Sequence, residues 1–349
     1  MDEKRTYGGL DAFRLIAAFL VIAIHTSPLL SYSDGADFFL TRVLARLAVP
    51  FFFMVTGHFV LSSYFYGENG EQAMTAAVSE IQQLEKTLSV TKADSEISKI
   101  NAAGGKKVTV SKETYDLLSA CIQYGNDTDG LFDISIYPLV KLWGFTTEKY
   151  HVPDKAERDA VIKKIDYKKI ELLSDCQVRI PSGMAIDLGA AAKGYLSQKI
   201  IDLCKEKKVT SCILSLGGNV QTIGMKPDDT EYTVGITDPS DGSSIYGTVK
   251  VKDKAVITSG IYQRNFKKDG KLYHHIMDKR TGMPADNNLA SVTVIAENGA
   301  MADAYATALS VMGEEKAIAF QKKHPQIQII LIRKDGTFYQ SEKAGMIKS

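Results

Sequence analysis

An acidic residue and a hydroxyl residue lie four positions apart in the segment 300–313, which reads AMADAYATALSVMG. If this segment is helical, Asp303 and Thr307 share one face, one turn apart, and can point at a common ion. Carboxylate and hydroxyl oxygens are hard ligands of the kind that Mg²⁺ prefers, and a bound magnesium ion usually keeps waters and substrate phosphates as its other ligands. The alternative is a solvated Asp303 near a helix start, with Thr307 hydrogen-bonded to the carbonyl four residues back. The pair alone leaves both interpretations open.

A second segment, 185–195, reads AIDLGAAAKGY and is typical of a strand that ends at a glycine turn before a helix of small residues. Small side chains let a ligand approach the backbone N–H groups at a helix start, where the helix dipole favours a phosphate. Lys193 adds a positive charge one turn into this helix. Close packing of small residues explains the same pattern, so the segment alone does not distinguish a phosphate-binding site from a tightly packed helix.

The third segment, 129–145, reads DGLFDISIYPLVKLWGF and holds the only tryptophan, Trp143, together with Asp133 in an aromatic and aliphatic run. Such surroundings suit a flat aromatic ligand, for example an isoalloxazine or an adenine. Ordinary core packing is the alternative.

Glycine turns and one histidine complete the set of candidate groups. The segments 214–219 (LSLGGN) and 257–264 (ITSGIYQR) place glycines after strands, where they approach phosphates or only reverse the chain. The segment 275–284 (HIMDKRTGMP) contributes His275. An unperturbed imidazole has a pKa near ~6.5 and can move a proton at neutral pH, although a lone histidine is usually structural.

The elements that must position these residues are predicted from hydrophobic periodicity. The predicted helices cover 71–88, 111–124, 190–207, 299–312 and 314–324. The predicted strands cover 212–216, 232–236, 247–251, 255–257, 291–295 and 327–332. Because helices and strands interleave without a regular βαβ period, we expect an α+β fold with a mixed sheet rather than a doubly wound parallel fold.

Charge and cysteine content exclude several classes of protein. The formal net charge is +1, so no overall field favours nucleic acid or an anionic membrane surface, and any charged ligand must be held by local groups. The cysteines lack CxxC or Cys/His spacing, which predicts buried reduced thiols rather than a zinc site or a disulfide framework. They are Cys121, Cys176, Cys204 and Cys212.

The N-terminal part of the chain differs in composition from the rest. Residues 10–30 and 43–65 are apolar stretches, each about the ~20 residues that cross a bilayer. No A-x-A-like cleavage site follows the first stretch, which favours an uncleaved anchor over a signal peptide. We therefore predict two transmembrane helices within 1–65, followed by one domain over 66–349.

The apolar region resembles the start of the acyltransferase-3 membrane domain found in membrane-bound serine racemases of vancomycin resistance. The resemblance rests on GLDAFRLIAAFLVIAIHTSPL and RLAVPFFFMVTGHFVL, in which Asp11, Arg14 and His25 match family positions. That family encloses its site with many helices, and two helices cannot form it. The resemblance therefore implies an inert anchor or a gene-fusion remnant.

The order of the motifs in 66–349 is similar to that of the ApbE family of FAD:protein FMN transferases. The series is FDIxxxPLVxLWGF, AIDLGAxAKGY, a GGN turn, TSGxYxR, HIxDxxTGxP and ADAxxTAL, and it spans nearly the whole domain. The resemblance implies an ApbE-like catalytic domain with a magnesium site at Asp303, Thr307, Ala306 and the carbonyl of Ala190. It implies FAD contacts from Leu131, Phe132, Asp133, Asp187, Lys193 and Met277.

In the reaction that this resemblance implies, FAD is a substrate. Its pyrophosphate is cleaved, AMP leaves, and FMN passes to a Thr or Ser hydroxyl of an acceptor flavoprotein, such as a redox-pump or electron-transfer subunit. His275 is the candidate general base. Two alternatives stay open: an FAD pyrophosphatase that releases FMN and AMP to water, and a non-catalytic, membrane-tethered flavin-binding protein.

The expected location follows from the same resemblance. Members of the family commonly act outside the membrane, which implies a membrane-anchored protein with an extracytoplasmic catalytic domain. Two spans that follow a cytoplasmic N-terminus would instead leave this domain in the cytoplasm, and the weak charge bias of the flanking residues does not decide between the two sides.

The sequence departs from the family pattern at three places. No MGT-like strand precedes Tyr66, Thr91 stands where the family often has a tyrosine, and DKRTG replaces the more usual DPxTG. These departures predict weaker binding of FAD.

Overall fold

A computed structural model describes residues 70–226 and 228–349. The two predicted transmembrane segments and the predicted domain boundary at 65/66 lie outside the described residues. Among the residues that are described, no helix is both long enough and apolar enough to cross a bilayer.

The five predicted helices are confirmed, with ends that differ by at most three residues from the predicted ones. They are α1 (Gly70–Leu88), α3 (Lys112–Asp127), α6 (Ala192–Glu206), α7 (Gly299–Met312) and α8 (Glu314–Lys323). Three shorter helices were not predicted: α2 (Glu96–Ala102), α4 (Tyr137–Leu142) and α5 (Lys155–Ile162). Side-chain caps fix several starts, because Ser111 accepts from the N–H of Thr114 and Asn298 accepts from the N–H of Met301.

The central sheet has six strands in the order β15-β14-β13-β8-β5-β4. They are β4 (Cys212–Leu216), β5 (Asn219–Ile223), β8 (Ala255–Gly260), β13 (Leu289–Ala296), β14 (Gln328–Arg333) and β15 (Phe338–Gln340). The α+β class is confirmed, but the predicted mixed sheet is wrong, since every neighbouring pair is antiparallel. The physical reason lies in the connections: short turns join β4 to β5 and β14 to β15, and two consecutive helices rather than one crossover helix join β13 to β14.

Smaller sheets surround the central one. The strands β6 (Tyr232–Thr237), β7 (Ile245–Val251) and β16 (Ile347–Lys348) form one of them. The strands β1 (Val108–Thr109), β3 (Gln177–Arg179) and β2 (Glu171–Leu173) form another. Two hairpins pair β9 (Asn265–Lys268) with β10 (Lys271–His274) and β11 (Met277–Asp278) with β12 (Met283–Pro284). All six predicted strands are thus confirmed as β4, β6, β7, β8, β13 and β14.

The core lies on both faces of the central sheet. Every residue of β13 is buried, because α7 and α8 cover one face and the β6–β7–β16 sheet covers the other. Helix α7 is itself buried almost all round, as expected for an apolar helix inside a protein. Its polar side chains Asp303, Thr307 and Ser310 each form a hydrogen bond.

The helices α6 and α7 approach each other at two glycines. A Cβ atom added at Gly194 would lie 2.3 Å from the carbonyl oxygen of Gly299 and 2.6 Å from Cβ of Asp303. Only glycine fits this crossing, and the close approach brings the start of α6 next to the Asp303 side chain.

The four cysteines all carry free thiols in the described part of the chain. Cys121, Cys204 and Cys212 are buried as predicted. The prediction is wrong for Cys176, which is half-buried in the turn between β2 and β3 with a left-handed φ of 52°.

Candidate functional site

A cleft of about 520 Å³ opens between α1, the loop after α4 and the start of α6. One part of its lining is apolar and the other is charged or polar. The apolar part is formed by Ile81, Leu84, Leu88, Val90, Phe145, Tyr150, Ala192 and Leu196. The polar part is formed by Glu85, Ser89, Thr91, Thr146, Glu148, Asp187, Gly189, Lys193 and Arg264.

Asp303 lies beside the charged end of this cleft. Its side chain is only 5% exposed, and its Oδ2 accepts a hydrogen bond of 2.9 Å from the N–H of Gly194. Burial raises the pKa of Asp303 to about 6, although the charge of Lys193 and the neighbouring N–H donors of Gly194 and Asn219 oppose this rise. A buried carboxylate that attracts positive charge is a typical feature of a functional site.

Thr307 and Asp303 share one face of α7, as predicted. The Thr307 hydroxyl donates to the carbonyl oxygen of Asp303 over 3.3 Å and lies 3.4 Å from Oγ of Ser259. The hydrogen bond that the alternative interpretation predicted, from Thr307 to the carbonyl four residues back, is therefore present. It does not exclude metal binding, because a donating hydroxyl keeps the lone pairs of its oxygen for a cation.

The chemistry of these donors fits Mg²⁺. Within the described residues no group of three or more His, Cys, Asp or Glu side chains could hold a metal. The oxygen donors here are the Asp303 carboxylate, the Thr307 hydroxyl and backbone carbonyls, with Ala306 fully buried in α7 and Ala190 in the turn before α6. A set of few protein oxygens suits an ion that retains waters and substrate phosphates.

The charged end of the cleft carries Asp187, Lys193 and Arg264. Oδ1 of Asp187 accepts from the N–H of Gly189 over 2.9 Å. Burial raises the pKa of Asp187, against the opposing effects of this hydrogen bond and of the Arg264 charge. The exposed cations Lys193 and Arg264 can meet the negative charge of a phosphate.

His275 lies at the edge of the cleft, next to two of its lining residues. Its Nδ1 lies 3.2 Å from the carbonyl oxygen of Arg264, and its ring contacts that of Phe145 edge to face at 6.4 Å. A carbonyl only accepts, so Nδ1 carries the proton and Nε2 of the neutral ring keeps a lone pair. The pKa of His275 is lowered to about 4, chiefly by burial and to a smaller extent by the charges of Arg264 and Lys193, against the opposing effect of the hydrogen bond to the Arg264 carbonyl.

The other four predicted flavin contacts are not part of the lining of this cleft. Phe132, Asp133 and Met277 are buried, and Leu131 is half-buried. The Asp133 carboxylate accepts from the N–H and hydroxyl of Ser135 at 2.8 and 2.6 Å. The structure thus brings Asp187 and Lys193, but not these four side chains, to the cleft.

Two departures from the family pattern have a visible structural result. Lys279, the second residue of DKRTG, forms a 2.6 Å ion pair with Asp133, whose side chain is fully buried. Thr91 lines the cleft, while Phe145 and Tyr150 supply its aromatic side chains. Lys279 therefore stabilises the turn that begins at Asp133. The aromatic side chains of the cleft come from the loop after α4 and not from position 91.

Several lining residues were not singled out from the sequence. Arg264 ends the TSGxYxR motif, so the motif itself carried a signal. The periodicity of α1 predicted that Leu84 and Leu88 lie on one apolar face. It did not indicate that this face also lines a cleft. No local pattern indicated Tyr150, which is 42% exposed.

Comparison with known proteins gives consistent matches. The model of the ApbE family matches residues 55–331, and a model described as an acyltransferase domain matches residues 7–78. The FAD:protein FMN transferase of Klebsiella pneumoniae (strain 342) is 36% identical over 73% of this chain and 80% of its own length. The enzyme of the same name from Treponema pallidum (strain Nichols) is 34% identical over 77% of this chain and 80% of its own length.

Solved structures agree with the sequence matches. The ApbE protein of Thermotoga maritima superposes with a TM-score of 0.74 at 32% identity, covering 78% of this chain and 90% of that protein. The flavinyl transferase ApbE of Pseudomonas stutzeri superposes with a TM-score of 0.70 at 27% identity, covering 78% and 86%. Since the family model covers more than half of the chain and the folds agree, the chain belongs to the ApbE family.

Proposed function

We propose that this protein is an FAD:protein FMN transferase that depends on Mg²⁺ and modifies a Thr or Ser hydroxyl of an acceptor flavoprotein. The observation that carries the proposal is the buried Asp303 carboxylate, held by the Gly194 N–H beside Lys193 at the charged end of the cleft. The names of the relatives support the same reaction class.

The two parts of the cleft match the two parts of FAD. The aliphatic side chains of α1 and the rings of Phe145 and Tyr150 offer a surface for a flat, largely apolar ring. Lys193 and Arg264 lie where they can neutralise the diphosphate. Phosphoryl transfer depends chiefly on such positioning and charge neutralisation.

The groups that would hold Mg²⁺ are the Asp303 carboxylate, the Thr307 hydroxyl and the Ala190 carbonyl, with Ala306 adjacent. When bound, the ion would neutralise charge that develops on the diphosphate oxygens. The acceptor oxygen forms a bond to the phosphorus of the FMN half, the bond to the bridging oxygen breaks, and AMP leaves with that oxygen. The proton of the acceptor hydroxyl goes to a base.

His275 is the candidate for that base, because its Nε2 carries the lone pair of the neutral ring. A base of pKa about 4 is weak at neutral pH. Burial is the main cause of this low pKa, and the negative charge of a bound diphosphate offsets the smaller part that the positive charges of Arg264 and Lys193 contribute. The substrate thereby moves the pKa of His275 toward the range in which a general base is effective.

Replacing His275 with Asn is expected to lower the rate constant of transfer about 100-fold, the lower end of the range for loss of a general base. FAD affinity should change little, because the imidazole does not line the cleft. Single-turnover transfer, followed by mass spectrometry of the acceptor, measures the first quantity, and flavin fluorescence measures the second.

His324 provides the matched control. Its Nδ1 also faces a backbone carbonyl, that of Phe320 at 2.8 Å, but it stacks on Phe320 at the end of α8 and does not line the cleft. His324→Asn should leave transfer unchanged. An unaltered rate in His275→Asn would remove the histidine from the mechanism.

The proposed activity is tested with the whole protein, FAD, Mg²⁺ and an acceptor with an exposed Thr in a Ser/Gly-Ala-rich motif. We expect an acceptor that gains the mass of FMN, in a reaction that a chelator abolishes and added Mg²⁺ restores. Release of FMN and AMP without modification of the acceptor would establish the pyrophosphatase instead. Binding of FAD with neither product would establish a non-catalytic flavin-binding protein.

The location and the acceptor are part of the same proposal. We propose a membrane-anchored enzyme, since 10–30 and 43–65 are apolar, with its catalytic domain outside the membrane next to a redox-pump or electron-transfer subunit. Protease accessibility in sealed cells measures the side directly: a domain that is cut only after permeabilisation would place it in the cytoplasm.

A further inference from the structure

A lysine lies between two carboxylates from different helices, next to the cleft but outside its lining. Nζ of Lys199, on α6, donates to Oε1 of Glu80 on α1 and to Oε1 of Glu113 on α3. The hydroxyl of Tyr195, one turn earlier on α6, also donates to Oε1 of Glu113 over 3.3 Å. These four side chains form an ion network that joins α1 and α3 to α6.

The charges of this ion network are partly shielded from water. The side chains of Glu80 and Glu113 are 17% and 18% exposed, and that of Lys199 is 35% exposed. Fully exposed ion pairs contribute little to stability, whereas removal of one member of a shielded pair leaves the other charge without compensation. Because both carboxylates contact the same Nζ atom, they would face and repel each other without Lys199.

The ion network lies one helical turn from the apolar part of the cleft on both α1 and α6. On α1, Leu84 follows Glu80 by four residues, and on α6, Leu196 precedes Lys199 by three. Side chains at these spacings share one face of a helix. Both leucines line the cleft, one from each helix. The separation of the two helices at the ion network therefore determines how far apart the two leucines are held.

The apolar contact between α1 and α6 is made largely by small side chains. Ala73 and Ala77 of α1 are buried in one cluster with Ile200 of α6, and Ile81 packs against this cluster while only half-buried. Hydrophobic stabilisation scales with the apolar area removed from water, and alanine removes little. The position of α1 should therefore be sensitive to the charges beside this contact.

We propose that Lys199 is a positioning residue that holds α1 against α6 and thereby sets the width of the cleft for the flavin ring of FAD. This inference rests on the proposed function, because it assigns FAD to this cleft. Lys199 does not line the cleft and acts through Leu84 and Leu196, which do. Asp303 is held by the N–H of Gly194 and not by α1, so the metal site should be independent of this lysine.

The inference predicts a loss of flavin affinity with a retained maximum rate. Lys199→Met removes the charge, keeps a side chain of similar length and leaves the two carboxylates to repel each other. Residues in one ion network are typically coupled strongly enough for a ~10-fold loss of affinity. The transfer rate at saturating FAD should stay near that of the wild type. A merely structural role would instead lower the amount of folded protein, and with it the maximum rate, without changing the affinity of the folded part.

The experiment compares Lys199→Met with Lys112→Met in the full-length protein. Lys112 is the matched control, because it pairs with Asp116 over 2.8 Å on α3 but is exposed and does not line the cleft. A triple variant, which adds Glu80→Gln and Glu113→Gln to Lys199→Met, removes the repulsion as well. Flavin fluorescence measures the affinity for FAD, circular dichroism the folded fraction, and single-turnover transfer the rate.

A second variant covers the case in which Lys199→Met does not fold. Glu80→Leu breaks the link to α1 but keeps the pair of Lys199 and Glu113, so no like charges are left facing each other. It should weaken FAD binding in the same way, because α1 is again released from α6.

We expect ~10-fold weaker binding of FAD in Lys199→Met, wild-type binding in Lys112→Met and recovery to within about 3-fold of wild type in the triple variant. Wild-type affinity in folded Lys199→Met or Glu80→Leu would overturn the inference and leave the proposed function intact. Equal weakening in Lys112→Met, or no recovery in the triple variant, would also overturn it, since the defect would then not arise from the charges next to α1. A wild-type protein that binds no FAD would overturn both the inference and the proposed function.

Discussion

Asp303→Asn is expected to reduce the rate of FMN transfer by at least about 1000-fold while leaving the protein folded. A metal that neutralises charge at a transferring phosphate is worth several kcal/mol, and about 4 kcal/mol corresponds to a factor of about 1000. The amide of Asn still offers an oxygen to the Gly194 N–H, so the contact between α6 and α7 is kept. Single-turnover transfer measures the loss of rate, and calorimetric titration measures the accompanying loss of Mg²⁺ binding.

Stability should change in the opposite direction to activity. The pKa of Asp303 is about 6 instead of the ordinary 3.8, so the folded state binds the proton more tightly than the unfolded chain does. The carboxyl therefore destabilises the fold above pH ~6, by about 3 kcal/mol, and this cost disappears as the pH falls below ~4. At pH 7.5 without Mg²⁺, Asp303→Asn should leave the free energy of unfolding unchanged or raise it by up to about 3 kcal/mol.

Two hydroxyl variants on the same helix provide the control. Ser310, like Thr307, donates to the carbonyl four residues back, here that of Ala306 at 2.8 Å, but it is buried about two helical turns beyond Asp303, where its own carbonyl accepts from Asn287. Thr307→Val should weaken Mg²⁺ binding, whereas Ser310→Ala should not. A less stable Asp303→Asn protein with normal Mg²⁺ affinity would mean that the carboxylate is a structural group.

Local patterns predicted the elements of the site because their causes are local. The apolar face and the Asn298 cap define α7, whose predicted bounds of 299–312 agree with the structure. The spacing of Asp303 and Thr307 then fixes their common face without knowledge of the tertiary fold. The same holds for β4, which a turn with two left-handed glycines ends.

Contacts between distant segments could not be predicted in this way. The ion pair of Asp133 could not be predicted from the aromatic run around it, because its partner Lys279 lies 146 residues further along the chain. The antiparallel arrangement of the sheet also depends on which strands pair. The pairing of β5 with β8, which are distant in sequence, is not specified by the residues of either strand alone.

Gly194→Ala is expected to lower the free energy of unfolding by about 3 kcal/mol, the upper end of typical overpacking costs. The added Cβ would lie 2.3 Å from the Gly299 carbonyl oxygen and 2.6 Å from Cβ of Asp303, so backbone must move. Helix propensity alone predicts the opposite, since Gly→Ala inside a helix stabilises it by about 1 kcal/mol. The sign of the change in urea unfolding therefore distinguishes packing from propensity.

Activity should fall together with stability in this variant, because the Gly194 N–H that holds Asp303 moves away with α6. Gly299→Ala provides a partner test from the other helix, where the new Cβ would lie 2.8 Å from the Gly194 carbonyl oxygen. Combining the two changes should cost less than the sum of the single costs, since one separation of the helices relieves both clashes. A stabilised, fully active Gly194→Ala protein would show that the helices do not need this close approach to assemble the metal site.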